Sequence, residues 1–202
     1  MLKTYSNIWF CGLAGSGKTT VLNLLKDKLT HVEYLNDSFE IVEFVKKDVK
    51  QEHHTKPSPN SFVLTDSEAT YYSVKRLIAK VKSSSASKII EISRGVDQKN
   101  IVDFSYRYFF SQLDKNLVQN SLFVYIYSPF EDRVKRNNQR PLLRGGPNVF
   151  SSFKCPDEAM NRFFTKDDFF DALKETPLNS YILLNIFSLE ILKKRILELL
   201  TI

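Results

Sequence analysis

Gly12-Leu13-Ala14-Gly15-Ser16-Gly17-Lys18-Thr19, followed by Thr20, is the stretch whose residue types and spacing most clearly do chemistry. It matches G-x-x-x-x-G-K-[ST] at every position. Glycines let backbone N–H groups turn inward around phosphate oxygens, and a helix starting at Lys18 aims its positive dipole end at the same anion. Lys18 reaches the β- and γ-phosphates as a point charge, and Thr19 offers a hydroxyl to Mg²⁺. The competing reading is a strand-to-helix turn with chance glycines. An apolar run before the motif and a helical stripe after it argue for the ligand, so residues 12–20 are expected to bind a nucleoside triphosphate.

Other chemistry-bearing residues fall at the ends of apolar runs. Glu91 closes "KIIE" and precedes Ser93-Arg94-Gly95. A carboxylate there suits magnesium, through water, or the proton of an acceptor hydroxyl, and Arg94 suits an acceptor's phosphate or carboxylate bidentately. A strand-end salt bridge is the plainer alternative. Asp37 ends "HVEYLND" and reads either as a partner for an acceptor hydroxyl or amine or as a helix N-cap. Arg133, Arg136 and Arg140 stand at i, i+3 and i+7, one face of a helix, with Arg144 after them in a glycine-proline loop. A solvated basic helix would look the same. His53 and His54 have no Cys/His/Asp cluster at ligand spacing and read as a surface pair. Tyr106, Tyr108, Phe109 and Phe110 read as core.

The elements that must position these groups alternate. "NIWFCGL" (7–13) is a buried strand, and Val21, Leu22, Leu24, Leu25 and Leu29 make a helical stripe. A strand over 31–37 precedes a helix over 38–50, and a polar loop covers 51–62. Thr65-x-x-Glu68 suggests a capping box for a helix through about Val81. Strands over 88–93, 121–128 and 181–186 follow, separated by helices over 97–113, 129–140, 157–164 and 166–174, with a closing helix over 188–200. Residues 141–156, rich in proline and glycine, read as a mobile loop. This alternation implies βαβ units: a three-layer α/β sandwich with a mostly parallel five-stranded sheet and helices on both faces. Ligands in such sheets collect at the carboxyl ends of the strands, where each candidate sits.

The 202 residues suggest one domain, 43% apolar and 26% charged, as in ordinary globular chains. The two cysteines, Cys11 and Cys155, make no CxxC pair and no disulfide framework, so a reducing, cytoplasmic setting is expected. No apolar run approaches the roughly 20 residues that span a bilayer, and no signal peptide is read. The net charge of +6 suits an anionic partner, although a lysine-rich soluble surface gives the same balance.

Taken together, "GLAGSGKTT", "EISRG", "YIYSPFEDRVKRNNQR" and "PDEAMNRFFTKDDFFDAL" resemble the adenylate-kinase-like nucleoside and nucleotide kinases among the P-loop NTPases. The guanine-specifying N-K-x-D of the switch GTPases is absent from the sequence, as is the apolar run closing on Asp-Glu of the helicases. The resemblance implies a P-loop kinase fold and phosphoryl transfer from Mg²⁺-ATP to an anionic or hydroxyl-bearing acceptor. It implies that Arg133, Arg136 and Arg140 close over the triphosphate in a lid (131–165), with Arg162 as a further lid arginine or a surface residue. Residues 37–82 would form an acceptor lobe, and Asn185 would fall where such kinases contact adenine. "EISRG" departs from the usual Glu-Arg by two intervening residues, so Glu91 stays open between base and magnesium partner. Two other classes remain: a nucleotide-binding regulatory module with slow hydrolysis, and a nucleic-acid 5′-hydroxyl kinase whose lysines (46–56 and 75–88) track phosphates.

Overall fold

The computed structural model describes residues 5–56, 61–140 and 154–200. β1 (Asn7–Cys11) is aromatic and β-branched and buried along its whole length, as a central strand of a parallel sheet must be. It pairs in parallel with β5 (Lys88–Glu91) on one side and β6 (Ser121–Tyr127) on the other. β2 (Glu33–Asn36) extends the sheet beyond β5, and β7 (Ser180–Leu184) beyond β6, giving the order β2-β5-β1-β6-β7. All of these pairings are parallel.

Alternation along β1 divides the core in two. Trp9 and Cys11 point into a layer with α3 (Glu68–Lys82), α4 (Tyr106–Ser111), α5 (Lys115–Gln119) and α8 (Phe169–Glu175), where Val74, Leu77, Phe109 and Phe169 pack. Ile8 and Phe10 point the other way, onto Val21 and Leu25 of α1 (Lys18–Lys26) and Leu192 and Ile196 of α9 (Leu189–Leu200). Trp9 stacks on Phe123 at 5.7 Å, and its indole N–H donates to Ser121 Oγ at 2.9 Å. These two layers make the expected sandwich.

A third cluster lies off the sheet. Ile41 and Val45 of α2 (Asp37–Lys47) meet Val63 and Leu64, Val102, Phe104 and Phe163. Its hairpin, β3 (His54–Thr55) with β4 (Val63–Leu64), occupies part of the stretch expected to be loop. Each strand is two residues long, too short for alternation to register.

Several boundaries differ from expectation. β1 ends at Cys11 because Gly12 turns the backbone to φ +142°. The capping box does not form: Ser67 is the N-cap without a side-chain bond, and Asp66 Oδ1 accepts the Glu68 N–H at 3.0 Å. The helix expected over 97–113 is confined to Tyr106–Ser111, because Asp97 takes the N–H groups of Lys99, Ile101 and Val102 and holds that stretch as a turn. α6 (Phe130–Asn138) and α7 (Asp157–Phe163) flank residues 141–153; Arg144 and all of the expected mobile loop but 154–156 therefore lie outside the described residues.

Candidate active site

The carbonyls of the glycine loop are taken, one after another, by side-chain donors. Lys18 Nζ donates to Gly12 O at 2.8 Å and Leu13 O at 3.0 Å. Arg133 donates to Ala14 O at 3.4 Å, Arg136 to Gly15 O at 3.3 Å, and Asn185 Nδ2 to Ser16 O at 2.7 Å. Among the described residues the backbone N–H groups of Gly15, Gly17, Lys18 and Thr19 take no protein acceptor. The loop therefore offers donors to an anion while its acceptors are held on the protein side.

Two glycines are required by this closeness. Gly15 has φ +81° and an added Cβ would lie 2.7 Å from the Arg133 carbonyl oxygen; Gly17 has φ +106° and its Cβ would meet Asn185 Nδ2 at 2.5 Å. Ser16 Oγ is buried without a hydrogen-bond partner, and Leu13 is buried. Gly12 N donates to Tyr106 Oη at 2.6 Å, so an aromatic read as core also anchors the loop. Thr20 is exposed.

Glu91 ends β5 beside Asn36 in register, and its side chain meets α1 at Thr19. Thr19 Oγ1 donates to Glu91 at 3.1 Å and Asn36 Nδ2 donates to the other oxygen at 3.1 Å. Burial pushes the Glu91 carboxyl above its ordinary value, although Lys18 pulls against it. Burial draws the Lys18 ammonium below its own, opposed by Glu91 and Asp37. A hydroxyl and a carboxylate at the foot of a phosphate loop are hard oxygen donors of the kind magnesium takes.

Asp37 is the first residue of α2, and the N-cap is Asn36, whose Oδ1 accepts the Ser38 N–H at 2.9 Å. Asp37 Oδ2 instead pairs with Arg94 and accepts the Ser93 N–H at 3.2 Å. Arg94 is fully buried, donates also to Ser93 O and Ser73 Oγ, and lies over the Phe104 ring at 4.9 Å. Burial raises the Asp37 carboxyl above its ordinary value against the pull of Arg94. A cavity of about 190 Å³ opens beside the loop, with Lys18, Thr19, Glu91, Asp37 and Arg140 on its wall.

The three arginines of one helical face have three placements. Arg133 is buried, with its donors on the carbonyls of Ser128, Phe164, Thr165 and Ala14. Arg136 braces Gly15 O, Ser128 Oγ and Asn185 O. Arg140 lines the cavity, and its guanidinium has no hydrogen bond or ion pair among the described residues; Glu91 is its chief charged neighbour. Asn185 is turned to the loop, with its amide on Ser16 O.

Asn137, not singled out in the sequence, also shapes the site. It exchanges two 2.8 Å bonds with the Cys155 backbone and ties α6 to the approach to α7. Arg162 is neither a lid arginine nor a surface residue: it makes a buried fork to Asp97 at 2.7 and 2.8 Å and reaches Leu64 O. An asparagine before Asp-Ser is itself an N-cap signal, which Asp37 masked at Asn36. Cys155 borders the cavity, its thiol pushed up to about 12 by burial. His53 pairs with Asp66, and His54, which is buried rather than on the surface, pairs with Asp48. Among the described residues no group of three His, Cys, Asp or Glu could hold a metal, and no helix is long and apolar enough to cross a membrane.

No family model matches the sequence, and no curated protein matches it either. Among solved structures the chain is similar to a sugar kinase from Janibacter sp. HTCC2649, at 18% identity over 98% of this chain and 95% of that one, with a TM-score of 0.56. It is similar to a gluconokinase from Sinorhizobium meliloti 1021, at 12% identity over 96% and 91%, with a TM-score of 0.54. A deoxyadenosine kinase from M. mycoides with bound dCTP aligns at 12% identity over 96% and 98%, also at 0.54. At such identities the likeness concerns the fold, and with its glycine loop at the carboxyl ends of five parallel strands the chain has the P-loop nucleoside/nucleotide-kinase fold.

Proposed function

We propose that the chain is a Mg²⁺-ATP-dependent phosphotransferase acting on a small-molecule hydroxyl. The observation that carries this reading is the meeting of Thr19 and Glu91 at the wall of a cavity that also holds Lys18 and Asp37. The loop carbonyls are bound from behind, so the amides of Gly15, Gly17, Lys18 and Thr19 suit a triphosphate, and Lys18 suits its outer phosphates. Thr19 and Glu91 would hold magnesium, which supplies charge neutralisation between the β- and γ-phosphates.

Asp37 Oδ2 is committed to Arg94 and Ser93, which leaves Oδ1 for the acceptor hydroxyl. The acceptor oxygen would bond to the γ-phosphorus as the bond to the β–γ bridging oxygen breaks. That electron pair leaves with ADP, and the hydroxyl proton passes to Asp37 Oδ1. Arg140, unpaired among the described residues on the cavity wall, suits the charge of the phosphoryl group in flight. The lobe over residues 37–82 would select the acceptor, and the segment over 131–165 would act as its lid.

Burial of Glu91 favours the alternative of a slow regulatory module, but its partners are a hydroxyl and an amide rather than a cation. A nucleic-acid track is less favoured, since Lys80, Lys82 and Lys88 each face a carboxylate. ADP release from Mg²⁺-ATP decides the matter, measured with nucleosides, nucleotides, small metabolites and 5′-hydroxyl oligonucleotides, with Lys18→Ala as the blank. Acceleration by one acceptor class, lost in the blank, is expected; a flat rate across the panel would sink the kinase reading.

A further inference from the structure

The cavity is divided by chemistry. At the loop end stand Lys18, Thr19, Glu91 and Arg140; beyond Asp37 the wall is carbon, from Ile41 and Val42 of α2, Phe62 and Leu64 of the hairpin, Phe104, and Phe163 of α7. Past the loop end, the described cations near the cavity are held on the protein itself. Arg94 is locked on Asp37, Ser93 O and Ser73 Oγ; Arg162 is locked on Asp97 and Leu64 O. Lys154, at the rim, pairs with Asp157 at 2.9 Å. Lys18 is folded onto loop carbonyls, and Arg140 sits beside Glu91. The uncharged polar groups past the loop include Ser38, Ser61 and Ser93, which with the Asp37 carboxylate suit a hydroxyl and bring no positive charge for an anion.

From this division we infer that the acceptor is a small, uncharged molecule carrying its reactive hydroxyl on a flat or apolar body. The inference rests on the phosphotransferase reading and narrows it. It also runs against the expectation, drawn from net charge, of an acceptor with its own phosphate. An anionic group past Asp37 would leave water for a wall of aromatic and aliphatic carbon where, among the described residues and apart from Arg140 at the loop end, no unpaired cation stands to meet it, and a buried unpaired charge is strongly disfavoured. Size points the same way: about 190 Å³ is below the roughly 300–1,000 Å³ of sites for drug-sized ligands.

Matched pairs of probes test this. Thymidine against thymidine 5′-monophosphate, and benzyl alcohol against 4-carboxybenzyl alcohol, are titrated into the full chain with Mg²⁺-ADP, and binding is read by thermal shift and calorimetry. ADP release from Mg²⁺-ATP is measured in parallel. The neutral member of at least one pair is expected to bind at least about tenfold more tightly than its anionic counterpart, a margin an unpaired buried charge readily exceeds. Equal or tighter binding of the anionic members overturns the inference while leaving the kinase reading intact. Tight neutral binding without ADP release keeps the inference about the cavity and removes the kinase reading. Binding by no member of either pair overturns the inference as well.

Discussion

Thr19 Oγ1 lies 3.1 Å from Glu91 Oε1, so the second residue of α1 and the last residue of β5 meet at one point beside the glycine loop. The parallel sheet makes this meeting possible. β5 and β1 run side by side in register, Phe10 against Glu91, so the carboxylate reaches the sheet's carboxyl edge just where β1 gives way to the loop. Asn36, one strand further out, completes the hold on Glu91. The same edge binds the loop's carbonyls through Lys18, Arg133, Arg136 and Asn185.

Glu91→Gln should separate activity from stability. Burial lifts the Glu91 carboxyl above its unfolded value, so the folded state holds the proton more tightly and loses stability as pH rises from the unfolded value through the folded one. Above that window Glu91 is an ionised, desolvated group. A neutral glutamine still accepts the Thr19 hydroxyl but loses the bond from Asn36 Nδ2, which offsets part of the relief; the variant should still melt higher at pH 7–8, by roughly 2–4 °C for each kcal/mol of net relief. Magnesium-dependent turnover should fall about 10–100-fold, the usual loss when a metal's carboxylate support goes. Calorimetry beside steady-state rates reads both effects. A lower melting point at pH 8 would contradict this account.

Asn185→Ala should weaken nucleotide binding with little change in the chemical step. The amide holds Ser16 O from outside the anion's side and also fills the space that Gly17 leaves open. Losing one such bond leaves a buried carbonyl unpaired, about 1 kcal/mol, or roughly a fivefold rise in Kd for ADP. Titration calorimetry with Mg²⁺-ADP measures it, and an unchanged Kd would place Asn185 outside the loop's support.

The glycine loop and the five strands were legible in the sequence because glycines, β-branched residues and periodic leucines act locally. Arg133, Arg136 and Arg140 were legible only as a set. Their i, i+3, i+7 spacing puts them on one face, but whether each reaches a buried carbonyl, the loop or open cavity depends on what α6 packs against. Arg162 and Asp97 lie 65 residues apart, a pairing that no local pattern encodes. The β3–β4 hairpin was illegible for the opposite reason: two residues per strand carry no period. Asp37 was recognised as important, but its commitment to Arg94, from another strand end, is a tertiary fact.

That distinction among the arginines can be measured. Arg133→Met should remove a buried fork from the carbonyls of Ser128, Phe164 and Thr165, at a cost on the order of 3 kcal/mol of unfolding free energy. Arg140→Met breaks no hydrogen bond among the described residues, so stability should stay within about 0.5 kcal/mol. Its turnover should drop about 10²–10³-fold, as when one donor to developing charge is lost. Urea denaturation beside steady-state rates distinguishes them; equal stability losses would mean Arg140 is also a structural brace.

Arg94→Met should be among the most destabilising single changes, about 3–5 kcal/mol, because it strands the Asp37 carboxylate in the interior. Asp37→Asn in the same background should recover part of that loss, since the amide needs no counter-ion. A double-mutant cycle in urea gives the coupling. Additive losses would show that the two side chains do not stabilise one another.

Asp48 sets a pH limit on the hairpin lobe. Against the upward push of burial, the N–H groups of His53 and Glu52 and the His54 ring hold its carboxyl down at about 2. A depressed folded value means the unfolded chain takes up the proton first, at about 3.9. The stabilisation is therefore complete above pH 4 and is lost as pH falls from there toward 2. Asp48→Asn should lower the melting temperature at pH 7, and the gap to the wild type should close across that acid window. His54 is buried and turns Nδ1 to Asp48 at 2.8 Å, so the loss should appear first as hydrogen exchange at residues 52–55. A gap that stayed constant from pH 7 to 3 would mean that Asp48 acts through packing rather than through its charge.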